Sequence, residues 1–299
     1  MSLSPIQASD PFPHPSFHDQ IRLFWMRRVS GLYSSISPNI LREVCDYLRI
    51  FISLAFFSGS SLEVQAFPGH SVKTVQMKES VVGCIITHMS VWEILCVGTY
   101  PTSTSVSSVN LRTFVLKKEE DMREKRNCPG VIRVNDWVYV FGGYSGGPIT
   151  TSSEKFSINE RFWKKLPDMD LPRVYFSPVL HRYDIYLCDA AAQTCLSSFN
   201  IISETYTSHS VAIPRMQTNA SVAFIASGEL VVAMHPNSVL RWRVGSAFPF
   251  VIIEKSEKKL QGFSCTEVVQ VGRSVFWTDY NAKKVVKFDL DTLDYDFFT

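Results

Sequence analysis

Long apolar runs, an excess of one charge and closely paired cysteines are all missing from this sequence. The longest apolar run, residues 48–57, is about half as long as a membrane-spanning helix requires, and it contains Arg49. Thirty basic residues against 28 acidic ones leave a net charge of +2. A balance this close to neutral gives no reason to expect a nucleic-acid partner. The sequence therefore predicts neither a membrane span nor nucleic-acid binding.

The cysteines indicate a reducing compartment. There are seven of them, scattered through apolar runs, and even Cys188 and Cys195 lack the spacing of a zinc or redox motif. An odd, dispersed set is typical of reduced thiols packed in a core. The first residues lack the basic start and apolar centre of a secretory signal. The expected location is the cytoplasm.

Motifs for catalysis, cofactors and metals are also missing. The seven histidines are dispersed without metal-ligand spacing, and the sequence contains no nucleophile elbow, phosphate-binding loop or zinc-protease motif. The glycines at 142, 143, 146 and 147 join strand to strand, so no helix N-terminus is available there for a phosphate. The sequence predicts no catalytic residue, no metal and no cofactor.

What the sequence does contain is a strand-rich unit that begins near Gly130. Short β-branched and aromatic runs are predicted as strands at 131–134, 137–141, 153–158 and 162–166. Turn residues separate them, including Asn135 with Asp136, Gly142 with Gly143, and Asn159 with Glu160. Four short strands joined by turns are expected to form one antiparallel sheet.

This unit recurs along the chain. A large apolar residue in the predicted third strand repeats at spacings of 44, 45, 43, 43 and 46 residues. Its positions are Phe67, Leu111, Phe156, Phe199, Trp242 and Phe288. Apolar second strands recur in step with it, and arginines precede three consecutive units at Arg126, Arg173 and Arg215. A period near 45 residues with four strands per unit is typical of β-propeller blades.

The fold class predicted from this period is all-β: a β-propeller over residues 49–299. A sheet whose two faces are both apolar must be covered by its neighbours, and stacking around an axis provides that cover. Six blades are expected. The first is partial, because residues 48–77 show a second, third and fourth strand without a clear first strand. A five-bladed ring with an appended hairpin is the alternative.

The unit at 138–169 resembles the kelch repeat. An apolar second strand ends in Gly142 and Gly143, and Phe156 precedes Trp163 with six residues between them. The resemblance implies a kelch-type propeller in which these four residues are structural. The glycines would allow close backbone approach or positive φ, and Trp163 would pack within the blade. Phe199 with Tyr206 and Phe288 with Tyr295 repeat the aromatic spacing without the double glycine.

Residues 1–48 are predicted to be a partly disordered tail that contains two helices. Helical spacing in 16–32 places five apolar residues on one face, and Ser37-Pro38 is a suitable start for a second helix. The five are Phe17, Ile21, Phe24, Trp25 and Val29. In the second stretch, 36–48, an F-box-like spacing is formed by Ile40, Leu41, Val44, Tyr47 and Leu48, with the proline displaced by one at Pro38. The stretch resembles the first helix of an F-box, which would imply a ubiquitin-ligase adaptor; a helix that packs in the core or caps the propeller is the alternative.

Three functional hypotheses follow. The first is a non-catalytic scaffold or adaptor that grips a protein or peptide through propeller loops. Arg126, Arg173 and Arg215 are its candidate partner-binding residues, with loop capping as the alternative role for these arginines. The second is a substrate receptor of a ubiquitin ligase, acting through residues 36–48. The third is an enzyme with a site at the central channel, because such a site draws residues from several blades.

Overall fold

The computed structural model describes 54–58, 61–65, 72–76, 84–90, 93–99, 101–111, 113–188, 195–212, 221–226, 228–234, 238–246, 251–254, 269–271, 274–279 and 284–298. Every regular element in these residues is a β-strand, and every strand pairing is antiparallel. The predicted all-β class is confirmed for this part of the chain. Within it, no helix is long and apolar enough to cross a membrane.

The strands form six sheets in chain order. The first sheet contains β1 (Leu54–Ser58), β2 (Ser61–Gln65) and β3 (Val72–Gln76). The second contains β4 (Ile85–Ser90), β5 (Glu93–Val97), β6 (Val106–Asn110) and β7 (Leu116–Lys118). The third contains β8 (Gly130–Val134), β9 (Trp137–Phe141), β10 (Ser153–Ser157) and β11 (Trp163–Leu166). Each strand pairs with its neighbours in the chain, so each sheet is a simple meander.

The remaining sheets repeat this order. The fourth contains β12 (Val179–His181), β13 (Asp184–Leu187), β14 (Cys195–Asn200) and β15 (Thr205–Ala212). The fifth contains β16 (Ser221–Ala226), β17 (Glu229–Met234), β18 (Ser238–Arg243) and β19 (Val251–Glu254). The sixth contains β20 (Val269–Val271), β21 (Ser274–Asp279), β22 (Lys284–Asp289) and β23 (Tyr295–Phe298).

The four strands predicted for the unit at 130–166 are confirmed, each boundary within one residue. The described strands of the first sheet are those predicted as the second, third and fourth of their unit. The predicted tail (1–48), Phe67 and Arg215 lie outside the described residues.

The aromatic spacing of the repeat is explained by the hairpin between the third and fourth strands. Phe156 pairs in register with Trp163, Phe199 with Tyr206, and Phe288 with Tyr295. The ring centroids are 5.1 Å apart in the first pair and 4.9 Å apart in the second. A separation of seven positions therefore places two aromatic side chains opposite each other on one face of the sheet.

The same turn closes this hairpin in four sheets. Each turn begins at a residue whose side-chain oxygen accepts a hydrogen bond from a backbone N–H two or three residues later. The residue four positions after that first residue has positive φ. The accepting residues are Asn110, Ser157, Asn200 and Asp289. The residues with positive φ are Phe114, Arg161, Glu204 and Leu293. In the fifth sheet the corresponding turn uses Gly245, with φ of 82°.

Apolar side chains fill the spaces between consecutive sheets. One core cluster joins the second and third sheets, another the third and fourth, a third the fourth and fifth, and a fourth the fifth and sixth. Phe156, Phe199 and Phe288 are each 0 % exposed in these clusters. Burying a side chain of this size stabilises the fold by about 1.5–3 kcal/mol. The repeating aromatics Phe156, Phe199, Trp242 and Phe288 thus lie in the contacts between neighbouring sheets. Leu111 is predicted in the third strand of the second sheet, but it follows β6, in which Val109 pairs with Leu116 as Phe156 pairs with Trp163.

Candidate functional site

The loops at one end of the second, third and fourth sheets lie together and form the candidate site. The chain leaves the second strand of one sheet and meets the segment that leads into the next sheet. Thr99 N donates to Arg126 O at 3.1 Å, and Gly143 N donates to Arg173 O at 2.8 Å. We call residues 98–99, 101–105, 123–129, 142–150 and 173–177 the loop face.

Gly142 and Gly143 allow the close backbone contact on which the loop face depends. Their φ angles are 61° and 98°. A Cβ atom at Gly142 would lie 2.2 Å from Arg173 O, and one at Gly143 would lie 2.8 Å from Asn127 O. Both distances are too short for a side chain, so only glycine permits this approach without a backbone shift. The two glycines therefore act through the backbone conformation and the close approach that they allow.

Arg126 lies inside the fold, with 0 % of its surface exposed. Its guanidinium donates to Gly142 O at 2.7 Å, to Ser152 O at 2.8 Å and to Glu154 Oε1 at 3.1 Å. Glu154 is 1 % exposed, and its other carboxylate oxygen accepts from Arg123 N at 3.0 Å. Burial lowers the pKa of Arg126, and the neighbouring Glu154 carboxylate opposes that change. The charges are therefore buried as a hydrogen-bonded pair.

Arg173 occupies the equivalent position before the fourth sheet and is also 0 % exposed. Its Nη2 donates to Ser197 Oγ at 2.8 Å and lies 3.6 Å from Asp170 Oδ1. Asp170 also accepts from the hydroxyls of Ser197 and Ser208, both at 2.6 Å. Burial raises the pKa of Asp170, but hydrogen bonds from these serines outweigh it and the net pKa is lowered. The carboxylate is therefore held in its charged form.

The two described arginines do not form an exposed ring. Each uses its carbonyl oxygen to bind the preceding sheet and its guanidinium to bind the sheet that follows. A guanidinium with no exposed surface offers no donor to a separate protein, so the placement of Arg126 and Arg173 favours loop capping over partner binding. Arg215 lies outside the described residues.

The acceptors of these arginines were not identified from the sequence, although they have a regular position. Glu154 and Ser197 each stand two residues before the repeating aromatic, at Phe156 and Phe199. A carboxylate inside a mostly apolar strand is a signal for a buried cation. In the fifth sheet this position is Leu240, which is 0 % exposed. That sheet therefore lacks this acceptor for a preceding arginine.

The loop face presents two tyrosines that the sequence analysis also missed. Tyr144 and Tyr175 come from loops of adjacent sheets, are half-buried, and meet edge to face with ring centroids 5.7 Å apart. Backbone bonds hold Tyr144 to Asn127 in both directions, at 2.9 and 2.8 Å. Pro148 is exposed beside them, as is Ile149, which has 37 % of its surface exposed. The result is an aromatic surface on a backbone fixed by hydrogen bonds.

The charges beside these tyrosines are of both signs. Arg123, Glu124 and Lys125 are consecutive and all exposed. The thiol of Cys128 lies beneath, and burial raises its pKa to about 11, so it is protonated at neutral pH. Neither a thiolate nor a concentrated charge of one sign is present among the described residues of the loop face. Recognition there would depend on aromatic contact and backbone hydrogen bonds.

The described residues lack the groups that would hold a metal ion, and Ser198, which contacts His209, is buried. They contain no group of three or more histidine, cysteine or acidic side chains placed to hold a metal ion. Ser198 Oγ lies 2.9 Å from His209 Nε2, but Ser198 is 3 % exposed and the histidine ring stacks on Tyr186 at 5.6 Å. A substrate cannot reach that hydroxyl. The pair is part of the packing between the fourth and fifth sheets.

No model of a known protein family matches the chain, and no curated protein matches it. Residues 36–48, which carry the F-box resemblance, lie outside the described residues.

Proposed function

We propose that the chain is a divergent kelch-type β-propeller of six units, the first one partial. The support is the 43–46-residue period, which coincides with six successive antiparallel sheets. Gly142, Gly143, Phe156 and Trp163 carry the kelch resemblance in the sequence, and Phe156 pairs in register with Trp163. Four core clusters between consecutive sheets agree with blades that cover one another.

The inner strands give further support to this architecture. β4 contacts β8, and β12 contacts β16. Each of these is the first strand of its sheet, and the two members of each pair belong to consecutive sheets. In a propeller the first strands are the innermost, so they approach one another around the axis while the fourth strands diverge.

We infer that this propeller is a non-catalytic interaction scaffold that binds an extended protein segment at the loop face. The observation that carries the proposal is the Tyr144–Tyr175 pair, which is half-exposed on loops held by the buried Arg126 and Arg173. A rigid aromatic surface loses little entropy on binding, and tyrosine is enriched among residues that dominate interface energy. No cofactor is required for this role. We place it in the cytoplasm, in keeping with the reduced, buried cysteines Cys84, Cys96, Cys128 and Cys188.

A peptide-library selection on the purified full-length protein tests the proposal. Selected peptides are titrated by calorimetry against the wild type and against the double variant Tyr144→Ala/Tyr175→Ala. We expect the dissociation constant to rise at least about tenfold, because loss of a central interface aromatic typically costs more than about 1.4 kcal/mol.

Tyr183→Ala is the matched control, since Tyr183 is 61 % exposed and lies at the opposite end of the fourth sheet. A peptide that binds the double variant as tightly as the wild type, or that is weakened equally by Tyr183→Ala, would place the binding surface elsewhere.

A further inference from the structure

The end of the sheets opposite the loop face carries apolar side chains in contact with solvent. Phe162, Tyr183 and Ile202 are 37 %, 61 % and 72 % exposed. They lie on the turns that close the hairpins of the third and fourth sheets. Trp137 is half-buried beside them, with its ring centroid 5.9 Å from that of Phe162. We call Trp137, Phe162, Tyr183 and Ile202 the tip patch.

Polar contacts hold the turns of the tip patch together. Ile201 N donates to Tyr183 O at 2.9 Å, which joins the two turns of the fourth sheet. Lys155 Nζ lies 4.3 Å from the ring centroid of Trp137 and 2.7 Å from Glu204 Oε1. Glu204 belongs to the same turn as Ile202, so Lys155 connects the third-sheet half of the patch to the fourth-sheet half. Exposed apolar side chains gathered on adjacent turns in this way are typical of a contact site.

We propose that residues 16–32 of this chain dock on the tip patch through their apolar face. The periodicity of this segment places Phe17, Ile21, Phe24, Trp25 and Val29 together. Such a stripe requires an apolar partner surface in water. The tip patch supplies one, rigidly held, on the same polypeptide.

The path of the chain brings the segment to this end. In the third sheet, the second strand begins at Trp137, directly after the turn at the tip end. In the proposed propeller, β1 is the second strand of the first unit. If the units repeat in this way, β1 also begins at the tip end. The 21 residues between Leu32 and Leu54 reach about 70 Å when extended. A domain of this size is about 45 Å across, so the linker is long enough.

Charge gives the segment an orientation on the patch. It carries Arg22, Arg27 and Arg28. On the third-sheet side the turns expose Asp136 and Glu160 together with Arg133, whereas the fourth-sheet turn exposes Arg182. The arginines of the segment are therefore expected to lie toward the third sheet, where carboxylates are available.

Hydrogen–deuterium exchange on the full-length protein at low micromolar concentration tests the docking from both sides. Ile202→Glu is expected to speed amide exchange in residues 16–32 about tenfold. Trp25→Ala is expected to speed exchange of the turns at 182–184 and 201–204. Leu171→Glu and Gln20→Ala are the matched controls: Leu171 is 36 % exposed in the segment between the third and fourth sheets, away from the tip end, and Gln20 lies off the apolar face.

Unchanged exchange in residues 16–32 of the Ile202→Glu variant would overturn the proposal, as would an equal effect of Leu171→Glu. Protection that is present only at high protein concentration would do the same, because it would identify a second copy as the occupant. Exchange of the β9 amides reports whether each variant is folded. Peptide affinity at the loop face, measured on the same variants, should not change, so that failure of the docking is distinguished from failure of the proposed function.

Discussion

Replacement of Gly142 by alanine tests the backbone contact that positions the loop face. The added Cβ would lie 2.2 Å from Arg173 O, roughly 1 Å closer than such atoms approach, at a residue with φ of 61°. The loop must therefore move. Two hydrogen bonds are at risk: Gly143 N to Arg173 O at 2.8 Å, and Arg126 Nη1 to Gly142 O at 2.7 Å.

The expected cost follows from these terms. A non-glycine residue in the left-handed region costs about 1 kcal/mol. A neutral hydrogen bond contributes about 1 kcal/mol and one from a charged donor about 1.5 kcal/mol or more. We therefore expect Gly142→Ala to lower the free energy of unfolding by about 3–4 kcal/mol. With a urea m-value of about 3 kcal/mol/M, the midpoint should fall by about 1 M.

Two other glycines separate the steric term from the conformational one. Gly245 has φ of 82°, and a Cβ atom added there would meet no other atom within 4 Å, so its alanine variant should lose about 1 kcal/mol. Gly147 has open space and no positive φ, so its variant should stay within about 0.5 kcal/mol of the wild type. Urea titrations followed by tryptophan fluorescence measure all three. If Gly142→Ala costs no more than Gly245→Ala, the carbonyl contact has no energetic role.

Three further measurements probe the buried polar groups. Arg126→Met should destabilise the fold by about 3–5 kcal/mol, because it leaves the Glu154 carboxylate buried without a cation. In urea titrations the double variant Arg126→Met/Glu154→Leu should recover most of that loss, and no recovery would contradict the pairing of the two residues. Arg161→Ala removes ion pairs of 2.8 Å to Glu93 and 3.2 Å to Glu119. It should lower the free energy of unfolding by about 1 kcal/mol, and by less at 1 M NaCl; a loss that does not depend on salt would contradict an electrostatic role for these pairs. Burial lowers the pKa of His209 in the folded state. The contribution of this histidine to the free energy of unfolding is therefore present above its unfolded pKa of about 6.5 and is lost as the pH falls below that value. Between pH 8 and pH 5.5, the urea midpoint should accordingly drop less in His209→Gln than in the wild type.

Local patterns predicted the strands well because the relevant signals are local. In the third sheet, β-branched and aromatic runs set the strands, while Asn135 and the double glycine set the turns. The aromatic spacing of Phe156 and Trp163 is likewise local, since one short hairpin fixes it. Closure of the sheets around an axis depends on contacts between distant residues, and for that reason it stays a proposal.

The candidate site was harder to predict because its contacts span long sequence separations. The repeat alone suggests Arg126 as a partner-binding residue, but its acceptors Ser152 and Glu154 lie 26 and 28 positions away and enclose it. The partners Tyr144 and Tyr175 meet only after two sheets have packed together. Periodicity specifies which positions are equivalent, whereas the burial of a charge depends on whether the equivalent strand supplies an acceptor. Glu154 and Ser197 do so, and Leu240 does not.

Because Arg126 and Arg173 each hold one sheet by the main chain and the next by the side chain, the second, third and fourth sheets cannot open independently. In each neighbouring pair, the later sheet encloses the guanidinium of the arginine, and the earlier sheet donates a main-chain hydrogen bond to its carbonyl oxygen. Separation of the two sheets would break that hydrogen bond. These three sheets should accordingly exchange their slowest amides as one cooperative unit. The fifth sheet, with Leu240 in place of an acceptor, lacks this side-chain connection and should belong to that unit less firmly.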